Sequence, residues 1–171
     1  MKGGLTRIIG LALIGITLTS CGGAAEAKVS QVRGKDVKPI DAKVLPASMQ
    51  GLAVAPEEVL SSIAAARRSE VEAAGMFSLR AGDLLEATLQ VSRLRKEKRF
   101  RTPSFRALVV SQIGSSLAHK TRLDDMDVYL TTGARQRVAV WFKGQYCFIL
   151  SMRDDYKYQR SLIRTALGVN P

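Results

Sequence analysis

Apolar residues recur along this chain with two different periods, and the places where the period changes divide it into elements. From Pro56 the period is helical. Val59, Leu60, Ile63, Ala66, Val71 and Ala74 fall on one stripe, with Arg67, Arg68, Glu70 and Glu72 on the solvent side. Pro56 followed by Glu57 and Glu58 has the form of a helix start, and Gly75 that of a stop. After a loop over Ser78 to Asp83 the period becomes two. Leu85, Ala87, Leu89 and Val91 alternate with Glu86, Thr88, Gln90 and Ser92. The unbroken alternation predicts a half-buried strand, although Ala, Leu, Glu and Gln intrinsically favour a helix. Phe105 to Ile113 is rich in Val, Leu and Ile and reads as its antiparallel partner. Gly114 to Asp125 is polar and reads as a loop. Three further strands are predicted over Asp127 to Thr132, Arg137 to Phe142 and Tyr146 to Met152. Thr132-Gly133-Ala134-Arg135 and Lys143-Gly144 serve as their turns. Asp154 and Asp155 are placed to cap a last helix, whose stripe is Tyr158, Leu162, Ile163, Ala166 and Leu167 and whose end is Gly168.

The expected fold is therefore α+β: a five-stranded antiparallel meander sheet preceded by one helix and followed by a C-terminal helix. Such a sheet usually leaves one face in water. Here both faces are apolar near the last hairpin. Val138, Val140 and Phe142 oppose Ala139 and Trp141, and Tyr146, Phe148 and Leu150 oppose Cys147 and Ile149. Either the rest of the chain covers the second face, or the Trp141 region is an apolar contact surface for a partner.

Ahead of Pro56 neither period is sustained. Residues 22–55 contain Gly22, Gly23, Pro39 and Pro46 and read as a flexible tether, able to span roughly 30 Å. Before the tether, Lys2 and Arg7 precede the uncharged apolar stretch Ile8 to Leu18. A membrane span needs about 20 apolar residues, so this shorter stretch reads as a cleaved signal. The run Leu18-Thr19-Ser20-Cys21 that closes it resembles the lipobox of bacterial lipoproteins. That resemblance implies cleavage before Cys21, a diacylglyceryl group on its thiol, and a lipid anchor at the extracytoplasmic face of a membrane. Two or more acyl chains hold a protein stably on a bilayer. Gly22 stands where an aspartate would retain an enteric lipoprotein at the inner membrane. The implied address is the outer membrane in a diderm host and the outer face of the plasma membrane in a monoderm one. The expected organisation is signal peptide 1–20, lipidated Cys and tether 21–55, and one domain 56–171.

Charge adds a candidate surface. The chain has 171 residues and a net charge of +11; loss of Lys2 and Arg7 with the signal lowers this to +9. Most of it sits in one segment. Arg93, Arg95, Lys96, Lys98, Arg99, Arg101 and Arg106 surround the single acid Glu97, with Phe100 and Phe105 interleaved. In the cytoplasm such a cluster would suggest nucleic acid. Outside the cell no nucleic acid is expected, and the candidate anions are phospholipid headgroups, cell-wall polymers or an acidic face of an envelope protein. A solvated hairpin tip is the competing account. The tether's Lys28, Arg33, Lys35, Lys38 and Lys43 could likewise lie on headgroups or simply keep the linker soluble.

Candidate chemistry is sparse. With Cys21 lipidated, Cys147 is the remaining thiol, and its apolar neighbours suggest burial. There is one His and no Cys/His spacing for a metal, and no Gly-rich phosphate loop, so no cofactor is expected. His119 lies near Ser115, Ser116, Asp124, Asp125 and Asp127, which permits a Ser/His/Asp hydrolase as an alternative. The paired acids Glu57–Glu58 and Asp154–Asp155 are neighbours in sequence and do not face across a cleft. The segments Gly82 to Val91, Val140 to Gln145 and Met152 to Tyr156 resemble small secreted lipoproteins of high-GC Gram-positive bacteria, a group without an assigned activity. The predicted layout is also similar to the Mog1/PsbP-like sandwich, which implies a non-catalytic assembly or accessory role. Together these readings lead to a membrane-anchored, non-enzymatic binding or accessory factor of the cell envelope. The alternatives are a carrier of a small apolar or lipid ligand between sheet and helices, and an envelope hydrolase using His119.

Overall fold

Two long strands organise the chain: β4 (Val71–Ala81) and β5 (Leu84–Leu94), joined by a tight turn in which Gly82 takes a φ of +59°. A left-handed backbone at that position suits a residue without a Cβ. The computed structural model describes residues 37–57, 70–96, 98–113, 118–132 and 136–170. Around the β4–β5 hairpin stand β1 (Lys38–Pro39), β2 (Ser48–Met49), β3 (Leu52–Glu57), β6 (His119–Leu123), β7 (Met126–Thr132), β8 (Gln136–Lys143) and β9 (Tyr146–Arg153). Two helices, α1 (Pro103–Ile113) and α2 (Gln159–Leu167), and short 3-10 helices at Ala42–Val44 and Lys98–Arg101 complete the described elements. The strands form one sheet in the order β2-β3-β4-β5-β9-β8-β7-β6, with β1 lying parallel along the first part of β4 and every other pair antiparallel.

The coarse expectation of an antiparallel sheet with few helices holds. The five-strand count and the simple meander do not. The final strand β9 inserts beside β5, Leu89 facing Leu150 and Val91 facing Phe148, so the chain reaches the far edge at β6 and works back to the centre. β5, β7, β8, β9 and α2 form close to where their patterns place them.

Four assignments are corrected. Pro56 and Glu57 end β3 instead of opening a helix, and Val71 and Ala74 belong to β4; residues 58–69 of the expected helix lie outside the described residues. A proline is tolerated there because β4 borders β3 on one side at Pro56, while on the other side β2 reaches only Leu52–Ala53. Gly75 is a strand residue, not a helix stop. A Cβ on it would come within 2.9 Å of the Phe77 ring and 3.2 Å of Ile40, so its bareness lets the fully buried Phe77 lie across β4.

Second, Phe105–Ile113 lies in α1 and is not a strand. Thr102 caps the helix: its Oγ1 accepts the Phe105 N–H at 3.3 Å, and its carbonyl accepts the Arg106 N–H at 3.1 Å. Pro103 then fills the first helical position, where its missing N–H costs nothing. Third, the polar stretch read as a loop contains β6, joined to β7 by Asp124 and Asp125. Both have positive φ, 45° and 63°, as a two-residue hairpin turn of the primed type requires. Fourth, residues 37–55 are not tether. They supply β1, β2 and most of β3, and Leu45, Met49 and Leu52 are buried in the core. The signal, Cys21 and residues 22–36 lie outside the described residues.

The sheet is covered on both faces, which accounts for its doubled apolar pattern. On one face Phe77, Leu89, Val91, Trp141, Phe148 and Leu150 pack beneath Leu162, Ile163, Ala166 and Leu167 of α2. On the other, Val71, Ala74, Leu94, Val138, Val140 and Cys147 pack against Val109 and Val110 of α1. Burying a side chain of this size contributes roughly 1.5–3 kcal/mol relative to exposure. Asp154 and Asp155 do not cap α2; Tyr158 holds the cap position, and Gln159 Nε2 donates to the carbonyls of Arg153 and Asp154 at 2.9 and 2.7 Å. At the other end of α2, Lys143 Nζ donates to the carbonyls of Leu167 and Val169.

Trp141 is fully buried and stacks on its cross-strand neighbour Phe148, ring centres 5.1 Å apart and planes 2° from parallel. It is therefore part of the core and not an apolar contact surface. Replacing Trp141 by Ala is expected to cost about 3–5 kcal/mol, read as a lowered urea midpoint in equilibrium unfolding; a loss under about 1 kcal/mol would contradict this placement.

Candidate functional site

The structure splits the basic cluster by role. Arg93, near the end of β5, reaches Glu72 on β4 at 3.0 Å. Arg106 leaves the first turn of α1 and lies over the Phe142 ring, its guanidinium carbon 5.3 Å from the ring centre. Arg95 continues the sheet edge, its N–H bonded to the Glu70 carbonyl at 3.0 Å. Lys96, Lys98 and Arg101, on the connection from β5 to α1, are exposed. The Arg99 side chain lies outside the described set.

The ion pairs among the described residues form away from these three cations. Glu57 meets Arg80, Asp154 meets Arg137, Glu86 and Asp155 meet Arg153, and Asp124 meets Arg164. Among the described residues no carboxylate stands within salt-bridge distance of Lys96, Lys98 or Arg101.

At the same end of the sheet a cleft of about 260 Å³ opens between α1 and the β6–β7 hairpin. Tyr129 and Phe142 come from neighbouring strands of the face that α1 covers. Arg106 enters from α1 and Arg122 from β6, and Asp125, Met126 and Asp127 follow from the turn. Lys120 Nζ sits 2.9 Å from Asp127, and Arg122 lies 3.6 Å from Asp125. The hydrogen bond from Lys120 holds the Asp127 carboxyl below the usual carboxylate range, with Arg122 and Arg106 adding to the effect. The same hydrogen bond raises the Lys120 ammonium above its ordinary value. Arg122, Lys120, Tyr129 and Phe142 are absent from the sequence-based site. The signal for two of them was the alternation of Lys120 and Arg122 with Thr121 and Leu123, hidden in a segment read as loop.

Among the described residues no acid of the candidate triad stands beside His119. His119 opens β6 opposite Leu130 and is exposed, whereas Asp124 and Asp125 form the turn at the strand's other end. Asp127 faces Arg122, three residues along, roughly 10 Å from His119, and is engaged by Lys120. Ser115 and Ser116 lie outside the described residues. Among the described residues no three His, Cys, Asp or Glu side chains gather as a metal site, and no helix is long and apolar enough to cross a membrane. The layer between sheet and α2, where a carried apolar ligand would sit, is occupied by Trp141, Phe148, Leu162 and Leu167. No family model, curated protein or solved structure matches the chain.

The Lys120–Asp127 pair has a defined pH window. Asp127 is depressed, so its contribution is present above its unfolded value and lost as pH falls through the lower folded value. Lys120 is raised, so its share is present below its unfolded value and lost as pH rises through the higher folded one. In Lys120→Met, the Asp127 carboxyl is expected to titrate closer to the ordinary carboxylate range in a carbon-detected NMR titration. An unchanged midpoint would mean that the pair does not persist in solution.

Proposed function

We propose that the protein is a membrane-anchored extracytoplasmic lipoprotein that acts as a non-catalytic binding or accessory factor of the cell envelope. It is held by lipidated Cys21 and meets an anionic envelope partner through Lys96, Lys98 and Arg101. The observation that carries this reading is the exposure of those three cations on one short connection, with no ion-pair partner among the described residues, whose carboxylates are largely engaged elsewhere. Next to an anionic surface each contributes about 1 kcal/mol. Exposed, they bind without first breaking an ion pair to any described residue. The lipobox run Leu18 to Cys21 supports the address, and the likeness of Gly82–Val91, Val140–Gln145 and Met152–Tyr156 to small secreted lipoproteins supports the lipoprotein reading. In a diderm host the anchor would stand in the outer membrane.

Two measurements test the two halves. Cys21→Ser is expected to abolish fatty-acid labelling and move the protein from the membrane pellet to the soluble extracytoplasmic fraction; a variant that stays in the pellet removes the anchor reading. Lys98→Glu combined with Arg101→Glu is expected to weaken capture by anionic vesicles or wall polymer at low salt by about tenfold or more. Capture equal to that of the parent protein would exclude this connection as the contact.

A further inference from the structure

The cleft between α1 and the β6–β7 hairpin has a charge arrangement that the fold itself leaves incomplete. Asp127 is answered by Lys120 at 2.9 Å. Arg122 and Asp125 are 3.6 Å apart with side chains 71% and 97% exposed, a pair that solvent screens and a better acceptor displaces. Arg106 has no described carboxylate within salt-bridge distance and leans on Phe142, with its Nε buried and lacking a hydrogen-bond partner. A buried N–H in that state carries a desolvation cost that an acceptor would relieve. Two guanidinium groups thus line one small space, Arg106 reached by Asp127 only from beyond salt-bridge distance and Arg122 weakly paired with Asp125.

We propose that this cleft binds a phosphate group, with Arg106 and Arg122 donating to its oxygens. Guanidinium forks match phosphate geometry and form charge-assisted pairs. A planar carboxylate offers two oxygens to one direction; a tetrahedral phosphate presents oxygens to two forks at once. Phe142 and Tyr129 provide an aromatic wall for the organic group that the phosphate carries, and Met126 extends it. A volume of about 260 Å³ lies just below the usual size of ligand pockets, so the space suits a headgroup or a single polymer unit and not a whole lipid. The inference deepens the reading above and rests on it for the source of the phosphate, an envelope lipid headgroup or a soluble phosphate ester.

The test is an NMR titration of the acylated mature protein in neutral detergent micelles, with inorganic phosphate and with glycerol phosphate at low salt. Capture on phosphatidylglycerol-containing vesicles runs in parallel. Saturable shifts at Arg106, Arg122 and Tyr129 are expected, with affinity falling about tenfold or more in Arg122→Gln. Arg122 is exposed, so that variant keeps the fold; Arg106→Gln is the second variant, with thermal unfolding measured alongside. Glycerol phosphate displacing the protein from vesicles identifies the headgroup as the source. Saturable, Arg122-dependent binding of the soluble compounds without vesicle capture supports the cleft with a soluble ester as ligand, and counts against a lipid contact. Absence of saturable binding, or equal affinity in parent, Arg122→Gln and Arg106→Gln, overturns the proposal. Vesicle capture lost in Lys98→Glu with Arg101→Glu but untouched by Arg122→Gln leaves the cationic connection standing and removes the cleft as a headgroup site.

Discussion

The pairing of β5 with β9 is the contact on which the rest of the fold depends. It joins the N-terminal strands β1 to β5 to the C-terminal strands β6 to β9 in one sheet. Its register decides which side chains share a row. Leu89 meets Leu150 and then Ala139, and Val91 meets Phe148 and then Trp141, so large and small residues alternate beneath α2. One row further, Ser92, Cys147 and Phe142 line up on the opposite face, under α1. A slip of one residue would exchange these faces and place Gln90 and Ser92 under α2. Because the partners are far apart in sequence, their loop-closure entropy is offset only once both halves are packed.

The same register gathers the end of the sheet that carries the candidate site. The end of β5, the β6–β7 turn and the end of β8 come together there, and the β5–α1 connection starts from it. Bases close in sequence then separate by environment among the described side chains. Arg93 serves an internal pair and Arg106 stacks on Phe142, while Lys96, Lys98 and Arg101 stay in water. Long cationic side chains readily divide in this way, since their stems pack on apolar surface while their heads seek the nearest partner. An exposed cationic rim thus lies beside a cleft lined by Arg106 and Arg122.

Elements were legible where local pattern and tertiary packing agree. β5 alternates because α2 covers one of its faces, and α2 shows a clean stripe because it packs on one side alone. α1 was misread because Phe105, Val109 and Val110 resemble strand composition; the deciding signal was Thr102-Pro103, a cap followed by a proline at the first position. β6 was missed because Lys120 and Arg122 face a polar cleft at the sheet edge, so little about the strand is apolar. β1 to β3 were missed because their strands are short or edge-like, and Leu45, Met49 and Leu52 show no period that a strand pattern would detect. Of the site, the cationic segment was visible as charge density. Its division into engaged and exposed groups was not, since Glu72 and Phe142 are remote in sequence from Arg93 and Arg106.

By itself the sequence determined the local quantities: the signal-like N-terminus ending at Cys21, the excess of positive charge and its concentration in one segment, and the strands and final helix whose side chains alternate with a clear period. These depend on residues within a few positions of one another. Tertiary structure alone decided the insertion of β9 beside β5, the burial of Trp141 against Phe148, and the meeting of Arg106 with Arg122 across a cleft. Each of those joins residues from separate elements. Their energies come from shared burial and register, which no local run of residues encodes.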